Sequence, residues 1–290
     1  MAARFSIIVP TYARPERLAK CLAGLAALDY ARDSYEVIVV DDGTPGGLED
    51  VARGWRTRLN LKLIAQANAG PGAARNRGAL EAAGEYLAFT DDDCVPEVRW
   101  LTVLAQAFAS TPAHLLGGRV INTLDNIYSQ ASQDLVEYIC DYYDGRGGRT
   151  RLFTSNNMAV SAAGFRASGG FDPGFQRAAG EDREFCDRWA ANGQPSTFVG
   201  DAVVRHAHAL TLTGFWRQHF QYGRGAVRYR QARAARLREP VRFEPLSFYT
   251  GLLQSPLRDA RSWRGCGRAA MIGVSQAANA AGYYWERFTG

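Results

Sequence analysis

Short apolar runs alternate along the chain with amphipathic stretches. Phe5 to Val9 reads as a buried strand, and behind Pro15 the residues Leu18, Cys21, Leu22, Leu25 and Leu28 recur at helical spacing. The alternation repeats. Val37 to Val40 is a second apolar run ending in Asp41-Asp42-Gly43, Leu48 to Trp55 reads as a helix and Leu61 to Ala65 as a strand. After the turn Asn68 to Gly72 a helix is predicted through Ala83, then a strand from Tyr86 to Phe89. This order predicts an α/β fold on a parallel sheet with helices on both faces. Ligands of such sheets gather beyond the carboxyl ends of the strands, which here read Pro10-Thr11-Tyr12, Asp41-Asp42-Gly43 and Thr90 to Asp93.

Beyond residue 115 the spacing predicts a strand through Val120, a helix from Ile127 to Tyr143, and a loop in the Gly/Arg-rich stretch Asp144 to Arg151. A short strand at Met158 to Val160, a helix from Glu181 to Asn192 stopped by Gly193, and a strand from Thr197 to Arg205 follow. A long helix from Thr211 to Arg238 carries Arg217, Arg224, Arg228, Arg230, Arg233, Arg236 and Arg238.

With 290 residues, 47% hydrophobic and 22% charged, the chain has the composition of a globular protein with a sizeable core, which excludes disordered and fibrous classes. The net charge of +5 suits an anionic partner without choosing among nucleic acid, a phosphate-bearing ligand and an acidic membrane surface. Five scattered cysteines with no C-x-x-C pair argue against a disulfide framework or zinc cluster and fit a reducing cytoplasm. The run Phe5 to Pro10 is too short for a signal peptide, and nothing approaches the roughly 20 apolar residues of a membrane span. The expected location is therefore the cytoplasm, with any membrane contact peripheral and on the inner face.

Asp91, Asp92 and Asp93 concentrate three carboxylates at a strand end. A divalent cation such as magnesium or manganese would relieve their repulsion, and it can also hold a diphosphate. Glu181 and Asp182 open a helix, where acids are favoured by the macrodipole alone, but where a carboxylate can also take a proton from a hydroxyl. His206 and His208 lie just past a strand, and either suits a metal as a nitrogen ligand. Gly70-Pro71-Gly72 turns into a helix whose amides, with Arg75, can face a phosphate or a base.

Taken in order, these blocks resemble the family-2 glycosyltransferases, which have the GT-A fold. The matching residues are Val9 to Tyr12 with Arg14-Pro15, Glu36 to Thr44, Asn68 to Pro71 with Ala74-Arg75-Asn76, Asp91 to Asp93, and Gly180-Glu181-Asp182. The resemblance spans about residues 5 to 210. It implies a GT-A domain over 1–210, with a nucleotide-binding half at 1–115 and an acceptor and donor-sugar half at 116–210. A helical, membrane-associating segment would then occupy 211–290.

Residue by residue, the resemblance implies that Pro10, Thr11, Tyr12 and Arg14 line the nucleotide pocket, that Asp41 or Asp42 binds the base, and that Arg75 adds a polar contact. Asp91 and Asp93 would occupy the outer positions of a D-x-D motif, Asp93 holding the metal with Asp91 and His206, and Asp92 touching the ribose or sugar. Asp182 and Glu181 would be the catalytic pair, with Asp182 the base. Ser155 to Met158 and Gly169 to Asp172 resemble the stretch that shapes the sugar and acceptor pockets.

The implied activity is inverting, non-processive transfer from a nucleotide diphosphate sugar, UDP by analogy, to a saccharide or lipid-linked acceptor in glycoconjugate or polysaccharide synthesis. No Q-x-x-R-W block follows Asp182, which argues against a processive polymerase. The arginine helix, with Trp216, Phe220 and Tyr283-Tyr284-Trp285, is expected either to be solvated or to meet an anionic membrane. Two other readings compete. A sugar nucleotidyltransferase would carry a Gly-rich loop where Pro10 to Arg14 stand. A non-catalytic binder of nucleotide sugar or nucleic acid fits the clustered acids poorly, since carboxylates repel phosphates.

Overall fold

The structure is a computed structural model that describes residues 4–144, 152–175, 179–258 and 263–289. The stretch 145–151, within the expected Gly/Arg-rich loop, and Ala178, before Glu181, lie outside the described residues. In chain order the elements are β1 (Phe5–Thr11), α1 (Pro15–Ala26), β2 (Tyr35–Asp41), α2 (Glu49–Arg53), β3 (Leu61–Ala65), α3 (Pro71–Leu80) and β4 (Tyr86–Phe89). Next come β5 (Cys94–Pro96), α4 (Trp100–Ser110), β6 (Leu115–Asn122), α5 (Ile127–Asp144), β7 (Met158–Ser161), α6 (Ala162–Ala167) and α7 (Glu181–Ala191). The last are β8 (Ser196–His206), α8 (Leu212–Leu237), α9 (Leu246–Arg258) and α10 (Trp263–Thr289).

Two compact units emerge. A sheet unit holds Met1–Ile121, Phe153–Gln176 and Arg188–His206, and a helical unit holds Asn122–Leu152, Arg177–Asp187 and Ala207–Gly290. One boundary between the two units falls at His206/Ala207. Two earlier segments, 122–152 and 177–187, group with the C-terminal helices.

In the sheet unit the strand order is β3-β2-β1-β4-β7-β6-β8-β5. β1 is buried along its whole length because it has a neighbour on each side, β2 and β4, both parallel to it. The expectation of a parallel sheet holds only for β1 to β4. β7 runs antiparallel to β4, β6 to β7, and β5 to β8, so the sheet is mixed.

The pleat sends Phe5, Ile7 and Val9 to the face covered by Leu18, Leu22 and Leu25 of α1 and by Trp100, Leu104 and Phe108 of α4. Ile38 and Val40 point the opposite way, toward Ala74 of α3. Each fully buried side chain of this kind contributes about 1.5–3 kcal/mol. α3 lies close on the sheet because it carries Gly78, where a Cβ would come within 2.6 Å of Ile8 Cγ2. Leu28, expected on the first helix, is buried just beyond its end.

The helical unit has its own core of Ala131 and Leu135 from α5, Phe215 from α8, Phe248 and Leu252 from α9, and Ile272 from α10. α8 and α10 approach closely where glycines face backbone, Gly223 against Asn279 and Gly282 against Phe220. Among the described residues no helix is long and apolar enough to cross a membrane. None of the five cysteines is joined in a disulfide.

Candidate functional site

The strand ends of the sheet unit gather most of the singled-out residues. After β1 the chain turns through Tyr12, Ala13 and Arg14. Ala13 adopts a left-handed φ of 54°, which costs a non-glycine residue energy, and its amide donates to Thr44 Oγ1 at 2.9 Å. That turn leaves the Tyr12 ring half exposed and turns Arg14 toward the acids, its Nη1 3.3 Å from Asp92 Oδ1.

Asp41 and Asp42, at the end of β2, have separate tasks. Asp41 Oδ1 accepts from the Thr44 amide at 2.9 Å. Asp42 accepts from Gln66 Nε2 at 2.7 Å and from the amides of Ala69 at 2.9 Å and Gly70 at 2.8 Å. Both its oxygens are thus engaged in shaping the turn into α3. Gly70, with φ 90°, begins that helix, and Pro71 stands in its first turn, where a missing N–H costs nothing.

Asp91, Asp92 and Asp93 each face a guanidinium. Arg75 Nη2 lies 2.6 Å from Asp91, Arg14 pairs with Asp92, and Arg17 Nη1 lies 3.1 Å from Asp93 Oδ2. Three arginines thus offset part of the repulsion among these carboxylates. Arg17 had not been singled out; it lies on α1, one turn beyond Arg14.

Asp92 is buried and accepts from Thr11 Oγ1 at 2.7 Å. Burial raises its pKa to about 6, against the pull of Arg14 and Thr11, and the flanking Asp93 and Asp91 add to the rise. Cys21 and Cys94 sit near the same acids, and burial pushes both thiols well up, so they stay protonated.

Asp93 Oδ1 lies 3.3 Å from His206 Nε2. The cause is the pairing of β5 with β8, in which Cys94 stands opposite His206, placing the histidine at the strand end beside Asp93. A carboxylate oxygen and an imidazole nitrogen converging in this way form a donor set suited to a first-row divalent ion. The residues therefore fit a metal, with Asp91 two residues away and partly exposed. His208 belongs to the helical unit, where its carbonyl accepts from Ser129 Oγ at 2.6 Å.

Two further parts of this unit are held by bonds that the motifs alone did not reveal. Asn157 is consumed structurally: it accepts from Trp100 Nε1 at 2.9 Å and donates to the carbonyls of Arg119 at 2.9 Å and Ala202 at 2.8 Å. The turn Gly169 to Phe171 is clamped on two sides. Asn76 Nδ2 donates to the Phe171 carbonyl at 2.7 Å while its Oδ1 accepts from the Phe171 amide at 2.9 Å. Arg188 donates to the carbonyls of Ser168 and Gly170.

The family model for glycosyl transferase family 2 matches residues 6–169, more than half of the chain. The chain belongs to that family.

Among curated family members, the glycosyltransferase AglE of Haloferax volcanii is 38% identical over 123 residues, covering 42% of this chain and 40% of its own length. Validoxylamine A glucosyltransferase of Streptomyces hygroscopicus is 29% identical over 221 residues, covering 66% of this chain and 52% of its own. The chain thus spans about half the length of the curated relatives it matches.

Of solved structures, the mannosyltransferase PcManGT from Pyrobaculum calidifontis, in complex with GDP-Man and Mn2+, has a TM-score of 0.62 at 22% identity, covering 96% of this chain and 76% of that one. Residues 1–349 of TarS from S. aureus, in complex with UDP-GlcNAc, have a TM-score of 0.58 at 17% identity, covering 98% of this chain and 92% of that one. The fold of this family-2 chain is GT-A, a mixed eight-stranded sheet flanked by helices with a C-terminal helical region.

In the helical unit, the Glu181-Asp182 pair opens α7. Glu181 is buried and its Oε2 accepts from the Ala179 amide at 3.0 Å, so it braces the approach to the helix. Asp182 is half-buried, its Oδ1 2.7 Å from the Arg183 amide. α8 grips the next turns: Arg236 pairs with Glu184 and, at 2.5 Å, with Asp187, and Arg233 also pairs with Asp187. Arg183 lies over the Tyr229 ring at 4.4 Å. The arginine helix is therefore not one uniform solvated face, because part of its charge is spent on α7.

Proposed function

We propose that the chain is a metal-dependent, inverting glycosyltransferase that moves a single sugar from a nucleoside diphosphate, UDP by analogy, to a hydroxyl of a saccharide or lipid-linked acceptor. The observation carrying this reading is the convergence of Asp93 and His206 at the strand ends of a family-2 sheet, beside Asp91 and Asp92. PcManGT with GDP-Man and Mn2+, and TarS with UDP-GlcNAc, support the donor class and the metal.

Asp93 and His206, with Asp91, would hold a divalent ion, manganese or magnesium, which when bound supplies charge stabilisation to the departing diphosphate. The half-exposed Tyr12 ring offers a stacking face for the base, and Thr11 and Pro10 floor the same strand end. Asp41 is the better candidate for a base contact, since both oxygens of Asp42 are engaged by the turn. Arg14 and Arg17 already lie among the acids and would shift to phosphate oxygens. Asp182 takes the acceptor proton as the acceptor oxygen attacks the anomeric carbon, and a single in-line displacement inverts that centre. Glu181 braces the segment. His208 is the reserve nitrogen ligand, two residues beyond His206.

The test measures nucleoside diphosphate release from UDP-, GDP- and dTDP-sugars, with saccharide and lipid-linked acceptors, in manganese, in magnesium and with chelator. Release that chelator and Asp93→Asn both abolish is expected. Pyrophosphate release from a nucleoside triphosphate and a sugar phosphate would instead establish a nucleotidyltransferase. No turnover together with tight, salt-sensitive nucleic-acid binding would establish a binding module.

A further inference from the structure

Charge is distributed unevenly along the chain. Residues 211–290 contain 13 arginines, no lysine and four acids, a net +9, which leaves −4 for residues 1–210. Within the helical unit some of that charge is neutralised, by Arg224 with Glu286, Arg268 with Asp134, and Arg233 and Arg236 with α7. Counted over the whole helical unit, with its acidic segments 122–152 and 177–187, the net charge is +5, which is the entire positive excess of the chain.

Beside it lies an open face of aromatic rings in mutual contact. Phe243 meets Tyr283 at 5.4 Å, Tyr283 meets Tyr284 at 5.7 Å, and Tyr284 stacks on Phe288 at 6.3 Å. Next to Tyr284 in sequence, Trp285 meets Phe220 at 6.4 Å. Tyr283 is buried beneath the others, which corrects its expected exposure. Phe243, Tyr284 and Trp285 are more than half exposed and Phe288 is 78% exposed. Arg230 stands over the rings of Phe243 and Tyr283, and exposed Arg287 lies between Glu286 and Phe288.

Rings of this number left in water mark an interaction surface. We propose that this face docks on an anionic lipid bilayer, with the rings of Phe243, Tyr284, Trp285 and Phe288 at the headgroup boundary and Arg230 and Arg287 against lipid phosphate. Trp and Tyr favour that boundary, having an apolar body and a polar edge. Arginines set among them gain from the negative surface potential of anionic lipids. A second copy of the chain would bring the same positive excess against itself, which disfavours self-association through this face. The inference is independent of glycosyl transfer, because it concerns attachment only.

The test is co-sedimentation of the full chain with vesicles of phosphatidylcholine alone or with added phosphatidylglycerol, at low and high salt. Binding at least about tenfold stronger to the anionic vesicles, and lost in high salt, is expected. Trp285→Ser with Phe288→Ser, shown folded by circular dichroism, should weaken it at least about tenfold, and Arg287→Glu should weaken it on anionic vesicles only. Recovery in the supernatant at low salt, or equal binding to both vesicle types, would overturn the proposal. A molar mass that halves in the ring variant without any vesicle binding would assign the face to a second copy, and RNA binding in place of vesicle binding would overturn the proposal as well.

Discussion

Gly225 of α8 lies directly against the backbone carbonyl of Ala179, two residues before Glu181, so that a Cβ at 225 would fall inside the van der Waals radius of that oxygen. With Arg233 and Arg236 holding Glu184 and Asp187, α8 contacts the chain on both sides of Asp182, at Ala179 before it and on α7 after it. Gly225→Ala must push α8 or the 179–181 segment aside, and a displacement of about 1 Å at a reacting group costs on the order of a hundredfold in rate. We expect kcat to fall by about that factor while donor affinity stays near the wild-type value. Steady-state kinetics with a donor-binding titration checks this, and an unchanged kcat would show that α8 does not position Asp182.

Asp42 should matter more to stability than to base recognition. Removing its carboxylate strands the amides of Ala69 and Gly70 and the Gln66 side chain, at a cost of about 1–3 kcal/mol for a buried unsatisfied donor. Asp42→Ala is expected to lower urea-denaturation stability by about that amount. A loss confined to nucleotide binding, with stability unchanged, would make Asp42 a base contact instead.

A buried histidine sets a pH dependence. His219 is fully buried in the helical unit, 4.2 Å from the Phe215 ring centre, with neither ring nitrogen hydrogen-bonded. Burial, then the charge of His208, lowers its pKa to about 4. In the unfolded chain this group takes up its proton near the ordinary histidine pKa of about 6.5, so stability is lost as pH falls from about 6.5 to about 4, by about 3 kcal/mol. Denaturation curves across that window should slope more for the wild type than for His219→Leu. Parallel slopes would remove His219 as the cause.

The strand-end chemistry was legible because buried strands read as apolar runs, and Thr11, Asp41 and Asp91 stand where those runs stop. Strand direction was not legible, since nothing in Met158 to Val160 distinguishes parallel from antiparallel pairing. β5 was missed because three residues including a proline carry no periodicity, yet its pairing of Cys94 with His206 is what brings the histidine to Asp93. The run of arginines on α8 could be read from the sequence, but not their partners, Glu184 and Asp187 among them. Glu181 read as a dipole-favoured acid or as a proton acceptor beside Asp182, and its hydrogen bond from the Ala179 amide is a contact that the spacing could not show.

The proton-accepting role proposed for Asp182 is tested most directly by the Asp182→Asn variant, through single-turnover transfer and donor titration under saturating manganese. The amide keeps the shape and cannot take a proton, so transfer should fall by about 10²–10⁴ with donor affinity nearly intact. Transfer at the wild-type rate would contradict the account.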